Sequence, residues 1–388
     1  MGRIFEEENK MKSIRKELTV LTALLVLMQF GITPSWAAIS MICADCEGGG
    51  TSTPTIPLLS QISTRTEGYG AGYVFDMQLR GTTLYTGNVY YDPIFDVSDP
   101  RHPFKLYEVK HILQASGHYG IEATGKRYYS GGIYTDVWGY PTFQPLGEFT
   151  AGIVKDLDVV DNKAYIVTGG FGVWDVADPT HPVLLQTAAG NSNTGVVVDG
   201  SYVYLGSDGY VPPGQSFRRP LGLRIFNASD LSTPIGQHFE ETGSSLQPSP
   251  RYEDDFVKAG NRIFQAHRGF GIRVLNVTNP AAPVREGLIT SPTIPLGGII
   301  AFEVVGNRMF VATRLDKTLR VLDLTNLAAP TLLATADLSS IFNPVYDPPN
   351  SVNSVEVEID PVRRLVFVGG EVAMNTYDVS AYLPCATP

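Results

Sequence analysis

Short runs of alternating polar and apolar residues occupy most of the chain, and they come in pairs. In the clearest pair, Asp-Leu-Asp-Val-Val at residues 156–160 leads through Asp161-Asn162 into Lys-Ala-Tyr-Ile-Val. Strict alternation predicts half-buried β-strands, and Asp-Asn tolerates the positive φ of a two-residue hairpin turn. Similar pairs occur at residues 76–85, 120–129, 195–204, 255–264, 301–310 and 354–367. The pattern predicts seven β-hairpins, and turns at Gly260-Asn261 and Gly306-Asn307 fit the same scheme.

A second recurring sequence motif follows the hairpins. At residues 172–185 it reads Gly-Val-Trp-Asp-Val-Ala-Asp-Pro-Thr-His-Pro-Val-Leu-Leu, which predicts a strand, a tight Asp-Pro turn and another strand. Good copies lie at residues 95–103 and 275–283, and weaker ones at residues 226–234 and 322–330. A hairpin together with this motif gives a unit of four strands, which is the number of strands in one propeller blade.

The last unit lacks its fourth strand, because the chain ends soon after Tyr377-Asp378-Val379-Ser380. The apolar segment at residues 56–62 can supply that strand from the other end of the chain. Such closure removes the exposed edges that an open stack of repeats would leave. The sequence therefore predicts an all-β fold over residues 56–384, a single seven-bladed β-propeller whose last blade is closed by an N-terminal strand.

The repeat unit resembles a known family. Leu-Arg-Val-Leu-Asp-Leu at residues 319–324, Gly-Ile-Arg-Val-Leu-Asn-Val at residues 271–277 and the following Asn-Pro-x-x-Pro are similar to the LVIVD repeat of secreted and cell-surface propellers of bacteria and archaea. The resemblance is weaker in the second unit, where Thr135-Asp136-Val137-Trp138 lacks the Asp-Pro. It implies a propeller and an exported location. The repeat has no catalytic motif, so it transfers no active-site residues.

The N-terminus has the organisation of a signal peptide over residues 1–37. Lys12, Arg15 and Lys16 precede an apolar run at residues 18–32, and small residues follow near position 37. Met11 is a candidate for the true start, because Glu residues at positions 6–8 do not suit a signal. We expect a flexible linker at residues 38–55, a C-terminal tail at residues 385–388, no transmembrane segment in the mature chain, and a periplasmic, cell-surface or extracellular location.

Composition limits the class of partner. The chain of 388 residues has 29 Lys and Arg against 39 Asp and Glu, a formal net charge of −10. A balance this acidic argues against a general binder of nucleic acid or anionic membranes.

Three cysteines, Cys43, Cys46 and Cys385, lie near the two ends of the chain. Cys43-Ala44-Asp45-Cys46 lacks the His of a c-type haem site and the further ligands of a zinc site. In an oxidising compartment two pairings remain open. Either Cys43 and Cys46 form a local disulfide, or Cys385 joins one of them and links the chain ends. Non-reducing peptide mapping distinguishes the two.

Acidic residues stand at the beginning of the predicted inner strands. Carboxylates gathered at one channel mouth repel one another unless a cation intervenes, and Ca²⁺ favours sites rich in oxygen. The alternative is that these side chains point into the blades or into solvent. The candidate metal ligands are Asp76, Glu122, Asp156, Asp158, Asp255 and Glu303, with Glu356 in the same position of the last unit.

The same face carries candidate partner-binding residues. The fourth unit has a long insertion at residues 207–220, and long loops in compact domains are often functional. Paired arginines and aromatic side chains suit a protein or an anionic ligand. The candidates are His118, Tyr210, Arg218, Arg219, His267 and Arg268. We interpret His102 and His181 as turn residues on the opposite face.

No nucleophile elbow, phosphate loop or His-Glu-x-x-His motif occurs in the sequence. The sequence therefore favours a non-catalytic binding module for a surface or periplasmic protein or a small ligand, with no certain cofactor. The alternative is a propeller hydrolase or lyase that uses a Ca²⁺ site at the acidic channel mouth. Convergence of four or more of the named carboxylates within coordination distance would favour the enzyme.

Overall fold

The two ends of the folded region meet in one sheet. The computed structural model describes residues 53–383 except 66–71, 75, 89–90, 111–116, 122–125, 132–133, 140–143, 151–153, 169, 189–192, 208–221, 240–255, 268–270, 291–298, 314–315 and 344–354. Strand β1 (Leu58–Ser63) pairs antiparallel with β28 (Ala373–Asp378), which continues into β27 (Leu365–Gly369) and β26 (Glu356–Asp360). We call this composite the closing sheet. The N-terminal segment therefore supplies the strand that the last repeat lacks.

The other strands form six contiguous blades, each with four consecutive antiparallel strands in chain order. Blades 1 to 3 are β2 (Asp76–Arg80), β3 (Thr83–Gly87), β4 (Tyr91–Asp96) and β5 (Phe104–Lys110); β6 (Gly117–Ile121), β7 (Lys126–Gly131), β8 (Tyr134–Gly139) and β9 (Gln144–Thr150); and β10 (Asp156–Val160), β11 (Lys163–Val167), β12 (Phe171–Asp175) and β13 (Val183–Ala188).

Blades 4 to 6 follow the same order. They are β14 (Asn193–Asp199), β15 (Tyr202–Ser207), β16 (Gly222–Asn227) and β17 (Gly236–Phe239); β18 (Phe256–Ala259), β19 (Arg262–His267), β20 (Gly271–Asn276) and β21 (Val284–Ile289); and β22 (Ile299–Val305), β23 (Arg308–Thr313), β24 (Thr318–Asp323) and β25 (Thr331–Asp337). A 3-10 turn at Ser339–Ile341 precedes the closing sheet. The prediction of an all-β propeller is confirmed. The predicted count of seven blades is corrected to six blades of consecutive strands, because the remaining four-stranded sheet is a composite of β1 with β26, β27 and β28.

The hairpin turns adopt the predicted backbone. Asp161 and Asn162 have φ of 51° and 59°, and Gly260 and Gly306 have φ of 56° and 58°. These positive values give the tight turn a twist that matches the flanking strands. Each hairpin therefore delivers its second strand directly beside its first.

The repeated turn motif forms hydrogen bonds within its own blade. The carboxylate of Asp175 accepts a hydrogen bond of 2.9 Å from the N–H of Ala177, and Asp178 accepts one of 2.9 Å from Thr180. Between the two aspartates, the N–H of buried Val176 donates to the carbonyl of Asn162 in the hairpin turn, at 2.9 Å. Short polar side chains that bond two residues ahead stabilise turns. The corresponding bond to the hairpin turn recurs at Val97, Ala228, Val277, Leu324 and Val379, which accounts for the repetition of the motif in those units.

The outer strands share an irregularity. In blade 3, Val173 pairs with Gln186 and Trp174 pairs with Leu184, so Leu185 is an extra residue in β13. The same β-bulge occurs at the corresponding position of blades 1, 2, 5 and 6 and of the closing sheet. A bulge bends its strand and strengthens the local twist. It therefore shapes the rim of the propeller at a regular interval.

The residue directly after the bulge of an outer strand contacts the turn motif of the next blade. A Cβ on Gly147 of blade 2 would lie 1.7 Å from the carbonyl oxygen of Pro179 in blade 3. In blade 3 the corresponding Gln186 accepts a hydrogen bond of 3.1 Å from the N–H of Leu231 in blade 4. A Cβ on Gly236 of blade 4 would likewise lie 1.9 Å from the carbonyl oxygen of Pro280 in blade 5. The blades are therefore joined at the rim, and the closeness of these two seams requires glycine.

Ordered pairing begins before the predicted end of the linker. The N–H of Ile56 donates to the carbonyl of Thr335 at 2.9 Å, and the N–H of Thr335 donates to Pro54 at 3.0 Å. The described residues belong to a unit that begins at residue 51, after a separate unit at residues 1–50. The predicted signal peptide lies outside the described residues, and so do Cys43, Cys46 and Cys385.

Candidate functional site

The first strands of the blades and of the closing sheet surround the centre of the ring. They neighbour one another in the order β2, β6, β10, β14, β18, β22 and β26, and β26 neighbours β2. Successive side chains of a strand point to opposite faces of its sheet. In β10, Leu157 and Val159 are therefore buried in the cluster that Leu146 of blade 2 joins, while Asp156 and Asp158 point toward blade 4.

A cavity of about 430 Å³ lies among these inner strands. Its lining includes carboxylates from four inner strands, namely Asp76, Asp156, Asp158, Glu303 and Glu358. Arg80 is the single basic residue among the described lining residues. The structure therefore brings four of the predicted metal ligands to one cavity. Glu122 and Asp255 lie outside the described residues.

Two of these carboxylates bind the backbone of the next blade. Asp156 accepts a hydrogen bond of 2.7 Å from the N–H of Val196 in β14, and its other oxygen accepts one of 2.8 Å from Leu157. Asp158 accepts a hydrogen bond of 2.8 Å from Val198. A carboxyl group can accept such a bond whether it is ionised or protonated. The pair therefore joins blade 3 to blade 4 at the channel.

Glu358 makes the corresponding bond where the ring closes. It accepts a hydrogen bond of 3.2 Å from the N–H of Leu79 in blade 1. Sequence reasoning named Glu356 in this strand and missed Glu358. The available signal was its register, because Glu358 is the third residue of β26 as Asp158 is the third of β10.

Burial and mutual repulsion perturb these acids. Burial raises the pKa of Asp156 well above its usual range, the N–H of Val196 opposes that rise, and the charges of Asp76 and Asp158 add to it. Burial raises the pKa of Glu358 similarly, and the charge of Glu303 adds to the rise. Burial also raises the pKa of Asp158, against the N–H groups of Val198 and Val159. Neighbouring carboxylates therefore hold protons more tightly here than in water.

The cavity is an acidic environment suited to cations, but the acids are spread along it. Among the described residues, no group of three His, Cys, Asp or Glu side chains is close enough to hold a metal ion. The carboxylates share a cavity without forming a coordination cluster in that part of the chain. Calcium binding at the channel mouth stays a prediction.

The predicted partner-binding residues are largely outside the described region. Tyr210, Arg218, Arg219 and Arg268 belong to segments that the structure does not describe. The backbone places His118 in β6, and His267 at the end of β19. Their role in binding stays a prediction.

The turn histidines occupy the predicted place. Nδ1 of His102 lies 2.8 Å from the carboxylate of Asp99, and Nδ1 of His181 lies 3.1 Å from that of Asp178. Both rings are largely exposed, in the turns between the third and fourth strands. The prediction that they are turn residues is confirmed.

Sequence reasoning missed a series of arginines inside the blades. Arg224, Arg273 and Arg320 occupy the same register of the third strands of blades 4, 5 and 6. Arg273 is only 1% exposed and donates to the side-chain oxygen of Gln265. Arg320 pairs with Asp316, whose pKa burial would raise but hydrogen bonds from Arg320 and Thr313 lower. The arginines are visible in the sequence, as in the Leu-Arg-Val-Leu motif, but nothing in that motif indicated that the arginine side chain is buried.

The part of the chain that the structure describes contains no apolar helix of membrane-spanning length. The family model of the LVIVD repeat matches residues 151–188, which contain blade 3. No sequence among the curated proteins matches the chain.

Solved structures resemble the fold at low sequence identity. The β-propeller domain of Cps50 (Swd1) from Myceliophteria thermophila matches with a TM-score of 0.62 at 13% identity, over 83% of this chain and 100% of that one. The computationally designed Ika8 protein matches with a TM-score of 0.52 at 14% identity, over 80% of this chain and 98% of that one. These likenesses show the propeller fold alone.

Proposed function

We propose that this LVIVD-repeat β-propeller is an exported, non-catalytic binding module that holds a surface or periplasmic protein or a small ligand. The predicted binding surface is the face that carries the insertion at residues 207–220. The rigid ring positions this face, and the loops of several blades contribute to it. A binding role needs no convergent set of reactive groups.

One observation carries the proposal. Asp156, Asp158 and Glu358 each accept a backbone N–H from the neighbouring blade. A catalytic carboxylate needs an oxygen within reach of a substrate, whereas both oxygens of Asp156 and one oxygen each of Asp158 and Glu358 already bind the scaffold. The central acids therefore fit a role in holding the ring together, which leaves recognition to the loops.

Affinity capture from the native envelope fraction tests the binding role. Protein with Arg218→Ala and Arg219→Ala should lose the partner that the wild type captures. Arg101→Ala is the control, because Arg101 is an exposed arginine in a turn of blade 1, between the third and fourth strands. A partner retained by the double variant, or lost equally in the control, would contradict the assignment to the insertion.

Export rests on the organisation of residues 1–37. The test is N-terminal mass spectrometry of the protein recovered from the envelope and the medium. A mature N-terminus near residue 38, together with recovery outside the cytoplasm, is the expected result. A cytoplasmic protein that begins at Met1 or Met11 would contradict export.

A second candidate is a hydrolase or lyase with Ca²⁺ in the acidic cavity. It is favoured by the five carboxylates that line one space of about 430 Å³, because a cation would relieve their repulsion. Calorimetric titration with Ca²⁺ tests it. Tight binding that Asp156→Asn abolishes, and that Asp161→Asn in the exposed hairpin turn preserves, would support this candidate over the first.

A further inference from the structure

A cleft of about 380 Å³ lies between blades 5 and 6, on the face of the ring that carries the hairpin turns. Its lining comes from the hairpin turns of both blades and from the turn after the third strand of blade 5. We call this space the seam cleft. Its volume lies within the range of small-ligand pockets, about 300–1,000 Å³. The polar side chains that line it belong to Asn261, Arg262, Asn276, Thr278 and Asn307.

The seam between blades 4 and 5 holds an ion pair at the corresponding place. Lys258 of blade 5 extends to Asp199 of blade 4, with Nζ 2.5 Å from the carboxylate. Counted back from the glycine of each hairpin turn, Ala259 holds the place of Asp199, and Val304 holds that of Lys258. These two apolar side chains are too short to bridge the seam by an ion pair. The space between blades 5 and 6 therefore stays open.

The cleft gathers neutral hydrogen-bonding groups from two blades. Oδ1 of Asn276 accepts a hydrogen bond of 2.9 Å from the N–H of Thr278. The side-chain amides of Asn261 and Asn307, Nδ2 of Asn276 and the hydroxyl of Thr278 make no hydrogen bond to any residue in the described part of the chain. An amide side chain offers an acceptor oxygen and two donor hydrogens, and a hydroxyl offers both functions. The cleft therefore presents donors and acceptors together.

Charges at the cleft are already paired. Arg262 donates Nε and Nη2 to the two carboxylate oxygens of Glu286, at 2.7 Å and 2.8 Å. In blade 6, Arg308 pairs with Asp323 at 2.8 Å. Asn276 lies opposite Arg262 as Asp323 lies opposite Arg308, and none of the described lining residues is a carboxylate. A charged ligand would lose water here without gaining an opposite charge, which is costly. The cleft therefore suits a neutral polar ligand.

We propose that the seam cleft binds a sugar residue of an uncharged glycan. A sugar ring presents several neighbouring hydroxyl groups, each both a donor and an acceptor, and these match three amides and a hydroxyl. An apolar peptide side chain would instead cover the amides and leave them without partners, which costs free energy. The cleft lies on the face opposite the insertion at residues 207–220, so this proposal and the proposed function fail independently.

An array of neutral and acidic glycans tests the proposal, and calorimetry with the neutral glycan that binds best measures the affinity. Wild-type protein should bind neutral glycans. The double variant Asn261→Ser with Asn307→Ser should bind about tenfold or more weakly, because it withdraws two amides from the cleft. Serine fits these turns, since Ser201 holds the same place in blade 4, where its carbonyl accepts the corresponding bond from Ala228 at 2.9 Å.

Thr278→Ala and Thr325→Ala form a matched pair. Both residues occupy the same position of the turn motif, where blade 3 has Ala177, and Thr325 does not line the cleft. Thr278→Ala should weaken binding about three- to tenfold, and Thr325→Ala should leave it unchanged. Circular dichroism checks the fold of each variant.

Two kinds of result would overturn the proposal. The first is a wild type that binds no neutral glycan on the array, or binds acidic glycans alone. The second is an affinity that the double serine variant retains, or that Thr325→Ala lowers as much as Thr278→Ala does.

Discussion

The carboxylate of Asp156 accepts a hydrogen bond of 2.7 Å from the N–H of Val196, and the two residues belong to neighbouring blades. Replacing Asp156 with Ala should lower the free energy of unfolding by about 1–3 kcal/mol, because buried N–H groups lose their acceptor. Asp156→Asn keeps one oxygen and should cost less. Urea unfolding at pH 7 measures both, and equal losses would contradict the expectation that the remaining amide oxygen of Asn keeps the bond to Val196.

The same residue predicts a dependence on pH. The folded-state pKa of Asp156 is raised above its unfolded value, so its contribution to stability is present below about pH 3.8 and is lost as pH rises through the folded pKa. Wild-type protein should therefore gain more stability than Asp156→Asn when pH falls from 8 to 5. Identical slopes for the two proteins would contradict the raised pKa.

The turn aspartates predict the opposite dependence. Hydrogen bonds from the hydroxyl and N–H of Thr180, and from His181, lower the pKa of Asp178 to about 2. Its contribution to stability is present above its unfolded pKa and is lost as pH falls toward 2. Asp178→Ala should be less stable than wild type at pH 7, and this difference should shrink in acid. Thermal unfolding between pH 7 and pH 2 provides the measurement.

Asn is the control substitution in this turn. Asn279 and Asn326 occupy the corresponding place in blades 5 and 6 and accept the same N–H bonds, at 3.2 Å and 3.1 Å. Asp178→Asn should therefore be close to wild type at pH 7 and should lack the acid-dependent loss. Destabilisation at pH 7 equal to that of the Ala variant would show that the charge itself is needed.

At the seam between blades 2 and 3, the addition of one methyl group should lower the stability of the fold. A Cβ on Gly147 would lie 1.7 Å from the carbonyl oxygen of Pro179, so Gly147→Ala must shift the seam. We expect a loss of about 1–3 kcal/mol in the free energy of unfolding. Gly287→Ala is the control, because the same register of blade 5 leaves 3.5 Å to Leu327. Equal unfolding midpoints for the two variants would contradict this account.

The closing strand should be necessary for stability. Ile56 is buried in the core cluster that unites blade 6 with the closing sheet, whereas Leu58 is 53% exposed. Ile56→Ala should cost about 2–5 kcal/mol, and Leu58→Ala should stay within about 0.5 kcal/mol. Deletion of residues 56–62 should cause aggregation or a large fall in melting temperature. A truncated protein that melts like the parent would refute the closure.

The repeats made the fold predictable from the sequence. Strict alternation and the Asp-Pro turn motif predicted the strand positions of blade 3 closely. In that blade the alternating side chains and the hydrogen-bonded turns mark the same strand boundaries. The hairpin of blade 2 begins at Gly117, three residues before the predicted start, where the pattern is weaker. The shared β-bulges left no signal, because their extra residue is Leu in most sheets and Glu286 in blade 5, and neither type marks a bulge in an outer strand.

The site was only partly predictable. Asp76, Asp156, Asp158 and Glu303 were placed at the channel because register assigns the start of each inner strand. Their bonds to the next blade depend on how the sheets pack side by side, which one sequence does not specify. The burial of Arg273 also depends on contacts between blades.

The pairing of β1 with β28 has a mechanical consequence. Leu58, where the chain enters β1, lies opposite Tyr377, next to the point where the chain leaves β28. Force applied to the two chain ends therefore acts at the same end of the pair and breaks its hydrogen bonds one after another, as in a zipper. A strand pair loaded in shear would have to break them together. Stretched between two attachment points, this ring opens at low force, at the junction that its own ends create.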